Sequence, residues 1–392
     1  MKILFISHKY PPSIGGMEKH AFELRTRLEQ QHEIIPLIYD NQAGRFTFFR
    51  LLEKNIKQLL AVHQGIDLIY VNEGLLACFV ARIKRWTKIP IVATVHGLDV
   101  VFPNFFYQAF LKKQLQKLDG LIAVSQATGE ACRKRGIAAH KIFVVKNGVD
   151  HELGSVEIDP DFLANFEKQQ GIRLKDKKIL VTMGRPVRRK GFSWFVQNVM
   201  PQLSSDTILL LIGPRKGKER LFFKYLPSFI KRQLELAFSM SSDETNLRAA
   251  INLTANKNRV FELGKLPFSA VLQLLKAAEI FIMPNKKVEG DMEGFGLVAL
   301  EASISNTPVV AAGIEGIKDA VQDGKNGYLL PPEEPQVWGE QLTTILKDQL
   351  KLDEFSKKGK AYTLKEFSWE KMANGYEGVF EQVTALRSIG IA

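Results

Sequence analysis

The chain has very little cysteine: Cys78 and Cys132 are the only two in 392 residues. This scarcity excludes a small secreted scaffold held by disulfides, and both thiols fall in helical-looking segments. We therefore expect reduced thiols in or near a core, as in the cytosol. No apolar run approaches the ~20 residues that span a bilayer, and the opening MKILFIS is too short for a signal peptide. These absences predict a cytoplasmic protein that is soluble or at most peripheral on a membrane.

Acidic residues are also in short supply. The chain has 42 Asp and Glu against 54 Lys and Arg, a formal charge of +12. Such an excess favours an anionic partner: nucleic acid, a membrane surface or a phosphorylated ligand. Nucleic acid is the least favoured of these, because the basic residues are scattered among apolar helices. Hydrophobic residues make up 45% of the chain, which is ordinary for a globular protein long enough for two domains.

Short apolar runs alternate with helical segments along the chain, which predicts an α/β fold with parallel sheets. The predicted strands are Lys2–Ser7, Glu33–Tyr39 and the runs IDLIYV, IPIVATV, GLIAVS, KIFVV, KKILVTM, DTILLLI, RVFELG, IFIM and PVVAA. Residues 151–177 are polar and lack strong periodicity, so we expect a linker there with one helical piece. Two wound domains, one before and one after this linker, follow from the pattern.

The segment from Glu289 to Gly316 holds two glutamates, Glu293 and Glu301, in an E-x7-E spacing. It starts as a glycine-rich loop after the strand IFIM, becomes a helix, and ends in the strand PVVAA. Strand, loop, helix and strand make one βαβ unit, whose loop falls at the carboxyl end of its first strand. Ligands of open α/β sheets bind at that edge.

The chemistry of this loop suits a nucleotide-sugar. Gly294 and Gly296 allow close approach of a ligand, and the amides of Phe295 to Leu297 lie at a helix N-terminus, which favours an anion such as a diphosphate. Glu301 is placed to accept hydrogen bonds from a ribose diol, and Glu293 from a second polyhydroxylated group. Either glutamate alone fits a solvated surface position better. Both together, with the glycines and the strand context, favour the ligand.

The run E-GFGLVAL-E followed by PVVA resembles the E-x7-E signature of retaining glycosyltransferases of the GT-B fold, especially glycosyltransferase family 4. This resemblance implies two Rossmann-like doubly wound domains that face each other across a cleft. Residues 1–165 would form the acceptor-side domain and 166–369 the nucleotide-sugar domain, with a C-terminal helix at about 370–392 crossing back. It also implies sugar transfer with retention from a nucleotide-sugar, for which we expect a UDP- or GDP-sugar. We expect no cofactor and no metal, since two cations and a helix terminus can take the place of a metal.

Two motifs in the first half extend the resemblance. Between the first strand and its helix, Gly15 and Gly16 fit a tight turn as well as a phosphate cradle. The pattern P-P-x3-G-G-x-E resembles the family N-terminus, which implies that Gly16 faces the donor diphosphate. His96 belongs to a VHG motif whose histidine contacts the transferred sugar in the family. Asn72 stands where many relatives have a histidine, and no role is carried to it.

A third motif is the basic run after KKILVTM, which by itself fits a solvated loop. Its G-R-x4-K-G spacing resembles the family motif in which Arg185 and Lys190 grip the diphosphate, and it leaves Arg188 and Arg189 facing solvent or acceptor. Because no convincing nucleophile is apparent, we expect a front-face mechanism in which cations and amides stabilise charge on the leaving group. Domain closure would bring Gly16 and His96 onto the donor. The expected catalytic residues are His96, Glu293, Arg185 and Lys190.

Two segments bear on the acceptor. Phe102–Gly120 is rich in aromatic residues and lysine, and fits equally an amphipathic helix on an anionic membrane and a core helix with a solvated lysine face. Residues 214–258 read as an added basic helical insertion of undecided role. With the net charge, the first segment suggests a glycan or lipid-linked acceptor at the inner face of the cell membrane. Such an acceptor would place the enzyme in cell-envelope polysaccharide or lipopolysaccharide synthesis.

Other interpretations stay open. GFGLVA satisfies the dinucleotide fingerprint G-x-G-x-x-A, but Asn285 to Glu293 separate it from the preceding strand, where the fingerprint should begin. A non-catalytic GT-B binding protein and a nucleotide-sugar epimerase would share the fold. The triplet Asp159-Pro160-Asp161 fits a turn better than a metal site, and Asn326-Gly327 fits a hairpin-like turn.

Overall fold

A computed structural model describes residues 1–40, 44–214 and 242–388. These residues form two compact units: Met1–Gly148 with the chain from Phe367 onward, and Val149–Glu366. Each unit holds one six-stranded sheet in which every strand pairs in parallel with its neighbours. The α/β class predicted from the alternating pattern is therefore confirmed.

The first sheet has the strand order β2-β1-β3-β4-β5-β6. Its strands are β1 (Lys2–Ser7), β2 (Glu33–Ile38), β3 (Leu68–Val71), β4 (Ile91–Val95), β5 (Gly120–Ala123) and β6 (Ile142–Val144). The second sheet has the order β12-β11-β10-β7-β8-β9. Its strands are β7 (Lys178–Met183), β8 (Thr207–Ile212), β9 (Val260–Gly264), β10 (Ile280–Met283), β11 (Val309–Ala312) and β12 (Tyr328–Leu330).

Helices connect the strands, as parallel pairing requires. In chain order the described helices are α1 (Gly16–Leu28), α2 (Arg45–Val62), α3 (Gly74–Val80), α4 (Leu98–Val101), α5 (Phe105–Leu115), α6 (Gln126–Lys134), α7 (Phe162–Gln170), α8 (Phe192–Asn198), α9 (Glu244–Ile251), α10 (Phe268–Ala277), α11 (Leu297–Ile304), α12 (Ile317–Ala320), α13 (Pro335–Ile345), α14 (Gln349–Glu366) and α15 (Trp369–Ser388). Short 3-10 helices lie at Ala81–Arg85 and Arg188–Lys190, among other places.

The central strands form the two cores because they are almost wholly apolar and covered on both faces. All six residues of β8 are buried, as are all four of β10 and all five of β4. Helix α15, the last of the chain, belongs to the first unit. There Tyr376 and Phe380 are fully buried, and the Phe380 ring lies 5.5 Å from that of Tyr70.

The prediction of reduced core thiols is confirmed. Cys78 and Cys132 are both free and buried. Burial raises the pKa of each thiol to about 12, with nearby Asp99 acting in the same direction. Both are therefore inert, structural thiols.

The prediction of a hairpin-like turn at Asn326-Gly327 is wrong. Strand β12 after it pairs in parallel with β11, and α12 lies between the two strands. Asn326 is buried, its Nδ2 donates to the Ala320 carbonyl at 3.0 Å, and its Oδ1 accepts from the Gln322 N–H at 2.7 Å. The asparagine thus organises the loop through its side chain, which mimics backbone hydrogen bonds.

Candidate active site

In the second unit, three loops converge because their strands are neighbours. Strand β10 lies between β7 and β11, so the segments that follow these strands meet at one sheet edge. They are the basic turn after β7, the loop from Pro284 to Gly296 after β10, and Gly313 to Gly316 after β11. This is the carboxyl edge at which open α/β sheets bind ligands.

An ion pair between Lys190 and Glu293 occupies this edge. The Nζ of Lys190 lies 2.7 Å from Glu293 Oε2, and the side chains are 9% and 13% exposed. Asn285 Nδ2 donates to the same carboxylate oxygen at 3.1 Å. The sequence prediction thus named two residues that the fold places in direct contact.

Arg189 joins this pair, which corrects the expectation that it faces solvent; the alternative, that it faces the acceptor, stays a prediction. Its side chain is 16% exposed, and its Nε lies 3.6 Å from both Asp291 and Glu293. The reason is the 3-10 turn Arg188–Lys190, which points Arg189 and Lys190 inward and leaves Arg188 exposed. The spacing in the sequence did not reveal this turn.

Gly191 makes the inward turn possible. Its φ is +67°, and a Cβ at this position would lie 1.9 Å from the carbonyl oxygen of Pro284. Only glycine therefore allows the basic turn to pack directly against the end of β10. Gly191 therefore allows the basic turn after β7 and the loop after β10 to pack against each other.

The electrostatics of Glu293 follow from these neighbours. Burial raises its pKa, but Lys190 and Arg189 outweigh that effect and lower the pKa to about 2. Burial lowers the pKa of Lys190, and the ion pair with Glu293 opposes the fall. Near neutral pH, Glu293 is an ionised acceptor of hydrogen bonds and cannot serve as a proton donor.

Glu315 and Gly316 hold the backbone of Glu293 from the neighbouring loop. Glu315 Oε2 accepts a hydrogen bond from the Glu293 N–H at 2.6 Å, and the Gly316 N–H donates to the Glu293 carbonyl at 3.2 Å. A Cβ on Gly316 would lie 2.0 Å from the Gly294 carbonyl oxygen. Sequence reasoning missed Glu315, although its place three residues after the end of a buried strand was a usable signal.

The other predicted donor ligands of this unit lie around the same loop. Gly296 precedes helix α11 with φ +99°, Leu297 begins the helix, and Phe295 is buried beside them. Gly294 is half-buried, and so is Glu301, one turn into α11. Arg185 is exposed, yet its charge lowers the pKa of Lys190 and of Asp291, which places it at the same edge.

In the first unit, strands β1, β3 and β4 are neighbours, and their carboxyl ends again bring loops together. Glu73 after β3 is 3% exposed and ties down the loop after β1. It accepts from Ser7 Oγ at 2.5 Å and from the Lys9 N–H at 3.0 Å. This loop leads to Gly15, which precedes α1, and to Gly16, its first residue. Sequence reasoning assigned Glu73 no role.

His96, predicted to contact the sugar, is held from several sides. Its Nε2 donates to the Asn72 carbonyl at 2.9 Å, and its backbone N–H donates to Asp99 at 3.0 Å. The ring of His20 lies edge-on against it, with 5.1 Å between centroids. Since Nε2 is engaged with a carbonyl, Nδ1 is the ring atom that remains for a ligand.

His20 is the buried centre of this arrangement. It is fully buried, with Nδ1 donating to Asn72 Oδ1 at 2.9 Å and Nε2 accepting from the Tyr376 hydroxyl at 2.9 Å. Burial, assisted by His96, holds the pKa of His20 well below its usual value. His20 is therefore neutral at physiological pH, and Asn72, to which no role was carried, links both histidines.

The alternatives raised by the sequence are partly decided. Residues Pro284 to Glu293 separate β10 from Gly294, so GFGLVA does not form the strand-to-helix turn of a dinucleotide site. The Asp161 N–H donates to Asp159 Oδ1 at 3.0 Å, which confirms the predicted turn. Within residues 1–40, 44–214 and 242–388, no group of three His, Cys, Asp or Glu side chains could hold a metal ion.

Helix α5 combines features of both interpretations of its segment. Leu111 and Leu115 are buried, whereas Phe105 and Phe106 are 81% and 80% exposed. Over the same described ranges, no helix is long and apolar enough to cross a membrane. Most of the predicted insertion 214–258 lies outside the described residues, and its described end contains α9.

Family models match both halves of the chain. Residues 164–362, just over half of it, match the model described as Glycosyl transferases group 1, and residues 32–153 match the model described as Glycosyltransferase Family 4. Most of the second unit, including Lys190 and Glu293, falls in the first of these matches.

Individual proteins are similar over nearly the whole length. An uncharacterized glycosyltransferase of Methanocaldococcus jannaschii is 23% identical over 98% of this chain and 99% of its own. A GDP-mannose-dependent mannosyltransferase of Corynebacterium glutamicum, acting on a monoacylated phosphatidylinositol monomannoside, is 22% identical over 97% and 98%. Among solved structures, Anabaena HepE in complex with UDP superposes with a TM-score of 0.73 at 21% identity, covering 97% of this chain and 100% of that one.

Proposed function

The chain belongs to the glycosyl transferases group 1 family and is a glycosyltransferase of the GT-B fold. From this premise we propose that it transfers a sugar from a nucleoside-diphosphate sugar to a glycan or lipid-linked acceptor, with retention at the anomeric carbon. One observation carries the proposal: the ionised Glu293 beside Lys190 at the carboxyl edge of the second sheet.

In the proposed mechanism, the residues of the second unit handle opposite charges. Lys190 and Arg185, with the amides at the start of α11, stabilise the negative charge that builds on the departing diphosphate. Glu293 accepts hydrogen bonds from the sugar hydroxyls and offsets the positive charge that develops on the sugar ring. Glu301 binds the ribose. Because Glu293 is ionised, it leaves proton transfer to the diphosphate itself, as a front-face reaction requires.

The first unit contributes His96, Gly15 and Gly16 in this proposal. His96 offers Nδ1 to a sugar hydroxyl, because Nε2 already donates to the Asn72 carbonyl. The amides of Gly15 and Gly16 act on the diphosphate oxygens. Glu73, His20 and Tyr376 are positioning residues, since they hold these groups without facing the ligand themselves.

The donor class is a UDP- or GDP-sugar in this proposal. Two relatives support it: Anabaena HepE has been solved with UDP-glucose, and the C. glutamicum mannosyltransferase is GDP-mannose-dependent. Thermal unfolding with UDP-, GDP- and ADP-sugars tests the choice, because a ligand at 100 times its Kd stabilises the fold by about 2.7 kcal/mol. We expect one series to raise the melting temperature, Glu301→Ala to abolish the rise, and the exposed control Glu340→Ala to keep it. No rise with any donor would contradict the proposal.

The acceptor is proposed to be lipid-linked and to be used at the cytoplasmic face of the membrane, in cell-envelope polysaccharide or lipopolysaccharide synthesis. Exposed Phe105 and Phe106 on α5, together with the positive net charge, support this choice. In a flotation assay with anionic vesicles at low salt, the wild type should rise with the vesicles, and Phe105→Ser/Phe106→Ser should remain at the bottom of the gradient. Retention is tested separately, by determining the anomeric configuration of the product by NMR.

A further inference from the structure

The first unit contains an open cavity of about 530 Å³ that is lined mainly by cations. It lies between the 3-10 helix Ala81–Arg85 and helix α5. Five basic side chains and one half-buried aromatic ring, Phe110, form most of its lining; the basic residues are Arg82, Lys84, Arg85, Lys113 and Lys117. We propose that this cavity is a binding site for a phosphate-bearing group, separate from the proposed donor site.

The cavity lies at the opposite end of the first sheet from His96. Asp119, which pairs with Lys84, also accepts a hydrogen bond from the N–H of Ile91, the first residue of β4. His96 follows the last residue of β4. The two places are thus separated by the length of a five-residue strand, about 16 Å. Ligands of the reaction bind at the carboxyl edge, so the cavity serves a different ligand.

Among the residues that the structure describes, carboxylates pair with two of the five cations and not with the other three. Lys84 pairs with Asp119, and Arg85 Nη2 lies 2.5 Å from Glu53 on α2. Lys117 Nζ donates to the neutral Gln114 at 2.9 Å. In the part of the chain that the structure describes, Arg82 and Lys113 make no ion pair. Two carboxylates therefore face five cations, which leaves an uncompensated positive charge around one concave surface.

This arrangement suits a phosphate better than a diffuse anionic surface. The cavity volume falls in the range of small-molecule sites. The fixed side chains of Lys84 and Arg85 are preorganised, and arginine matches two phosphate oxygens at once. Phe110 stands against Phe79 with 5.9 Å between ring centroids, which provides an apolar wall for whatever bears the phosphate. A dianionic group would relieve the repulsion among the unpaired cations.

Calorimetric titration of the full chain with inorganic pyrophosphate tests the inference at constant ionic strength. Saturable binding is expected in the wild type and should remain in Lys190→Met, which removes a cation of the proposed donor site and is titrated at a temperature where it is folded. In the Lys190→Met background, the charge-reversed variant Arg82→Glu/Lys113→Glu should weaken binding by about tenfold or more, and Arg82→Gln/Lys113→Gln should weaken it less. The control Lys347→Glu/Lys357→Glu makes the same charge change on exposed residues of the second unit and should bind normally.

Arg82 and Lys113 are exposed and make no ion pair within the described ranges. The charge-reversed variant Arg82→Glu/Lys113→Glu should therefore have the same melting temperature as the chain in which it is made. If Lys190→Met abolishes pyrophosphate binding, the cavity does not bind a soluble phosphate, while the proposed function stands. Equal affinity in all variants overturns the inference.

Vesicle flotation identifies the source of the phosphate. If the charge-reversed variant loses binding to phosphatidylglycerol vesicles and Lys190→Met does not bind soluble pyrophosphate, the ligand is a lipid headgroup. If pyrophosphate binds and anionic vesicles do not distinguish the variants, the ligand is a soluble phosphate ester. If neither probe distinguishes the variants, the inference is overturned.

Discussion

The carboxylate of Glu315 accepts a hydrogen bond from the backbone N–H of Glu293 at 2.6 Å, and the backbone φ of Glu315 itself is +48°. Glu315 thus sits in the left-handed region, which is costly for a residue with a side chain. In that conformation its carboxylate fixes the residue proposed to hold the donor sugar. The two glutamates lie on loops after neighbouring strands, β10 and β11. The geometry indicates that Glu315 positions Glu293.

The stability of the chain should depend on pH through Glu315. Burial raises its pKa from 4.5 to about 7, assisted by the charge of Glu293. The folded state therefore binds this proton more tightly, so stability falls as pH rises from about 4.5 to 7. Glu315→Gln should be similar to wild type at pH 5 and more stable at pH 8, by at most about 3 kcal/mol.

Urea unfolding at the two pH values measures this difference. The exposed control Glu340→Gln should change stability equally at both. A Glu315→Gln effect of the same size at pH 5 and pH 8 would show that the carboxyl does not titrate between them.

The ion pair of Lys190 and Glu293 predicts strong coupling between the two residues. Among the described residues, Lys190→Met leaves the nearly buried carboxylate of Glu293 with Arg189 as its remaining ion-pair partner, and should destabilise the fold by about 3 kcal/mol. Glu293→Gln in the same chain removes that charge and should recover part of the loss. A double-mutant cycle by chemical denaturation measures the coupling, and additive effects would contradict the pairing.

Removing the Tyr376 hydroxyl should weaken both the fold and the proposed site. It contacts His20 Nε2 at 2.9 Å and Thr94 Oγ1 at 3.0 Å, and Tyr376 is fully buried. Tyr376→Phe leaves these partners unsatisfied and should cost about 1–3 kcal/mol. Tyr362→Phe, which removes a more exposed hydroxyl, is the matched control. Unchanged unfolding in Tyr376→Phe would mean that water replaces the hydroxyl.

His20 should contribute to acid unfolding. Burial holds its folded-state pKa well below 6.5, so the unfolded state binds the proton more tightly. Its contribution to stability is present above pH 6.5 and is lost as pH falls below it, by up to about 1.4 kcal/mol per pH unit. His20→Gln should flatten the stability profile between pH 6.5 and 5, measured by urea unfolding. His140→Gln, at an exposed position, should leave the profile as it is.

Much of the fold could be predicted from local pattern. Strands such as β1 and β8 are apolar runs bounded by polar loops, and their bounds differ by at most a residue or two from those predicted. The prediction of a hairpin-like turn at Asn326-Gly327 was wrong. A short sequence pattern does not distinguish a hairpin from a loop that is held by an asparagine side chain and leads into a parallel strand. The loop with Glu293 was identifiable because its glycines, glutamates and flanking strands lie close together in the sequence.

The remaining site residues depend on contacts between distant segments. Arg189 was expected to face solvent or acceptor, because a basic run gives no sign of which cations pack against buried carboxylates. Glu315 lies 22 residues from Glu293, and Tyr376 lies 356 residues from His20. No spacing rule in the sequence connects the members of either pair.

By itself the sequence determined the α/β class, the alternation of strands and helices, and the glycine-rich loop between two glutamates. These are local properties, set by apolar periodicity and by backbone freedom at glycine. Tertiary structure alone decided that Glu315 holds Glu293, that Arg189 faces the carboxylates, and that His20 links Tyr376 to Asn72. The physical reason is strand order: β10 lies between β7 and β11, and β3 lies between β1 and β4. That order brings the loops of each unit together at one sheet edge.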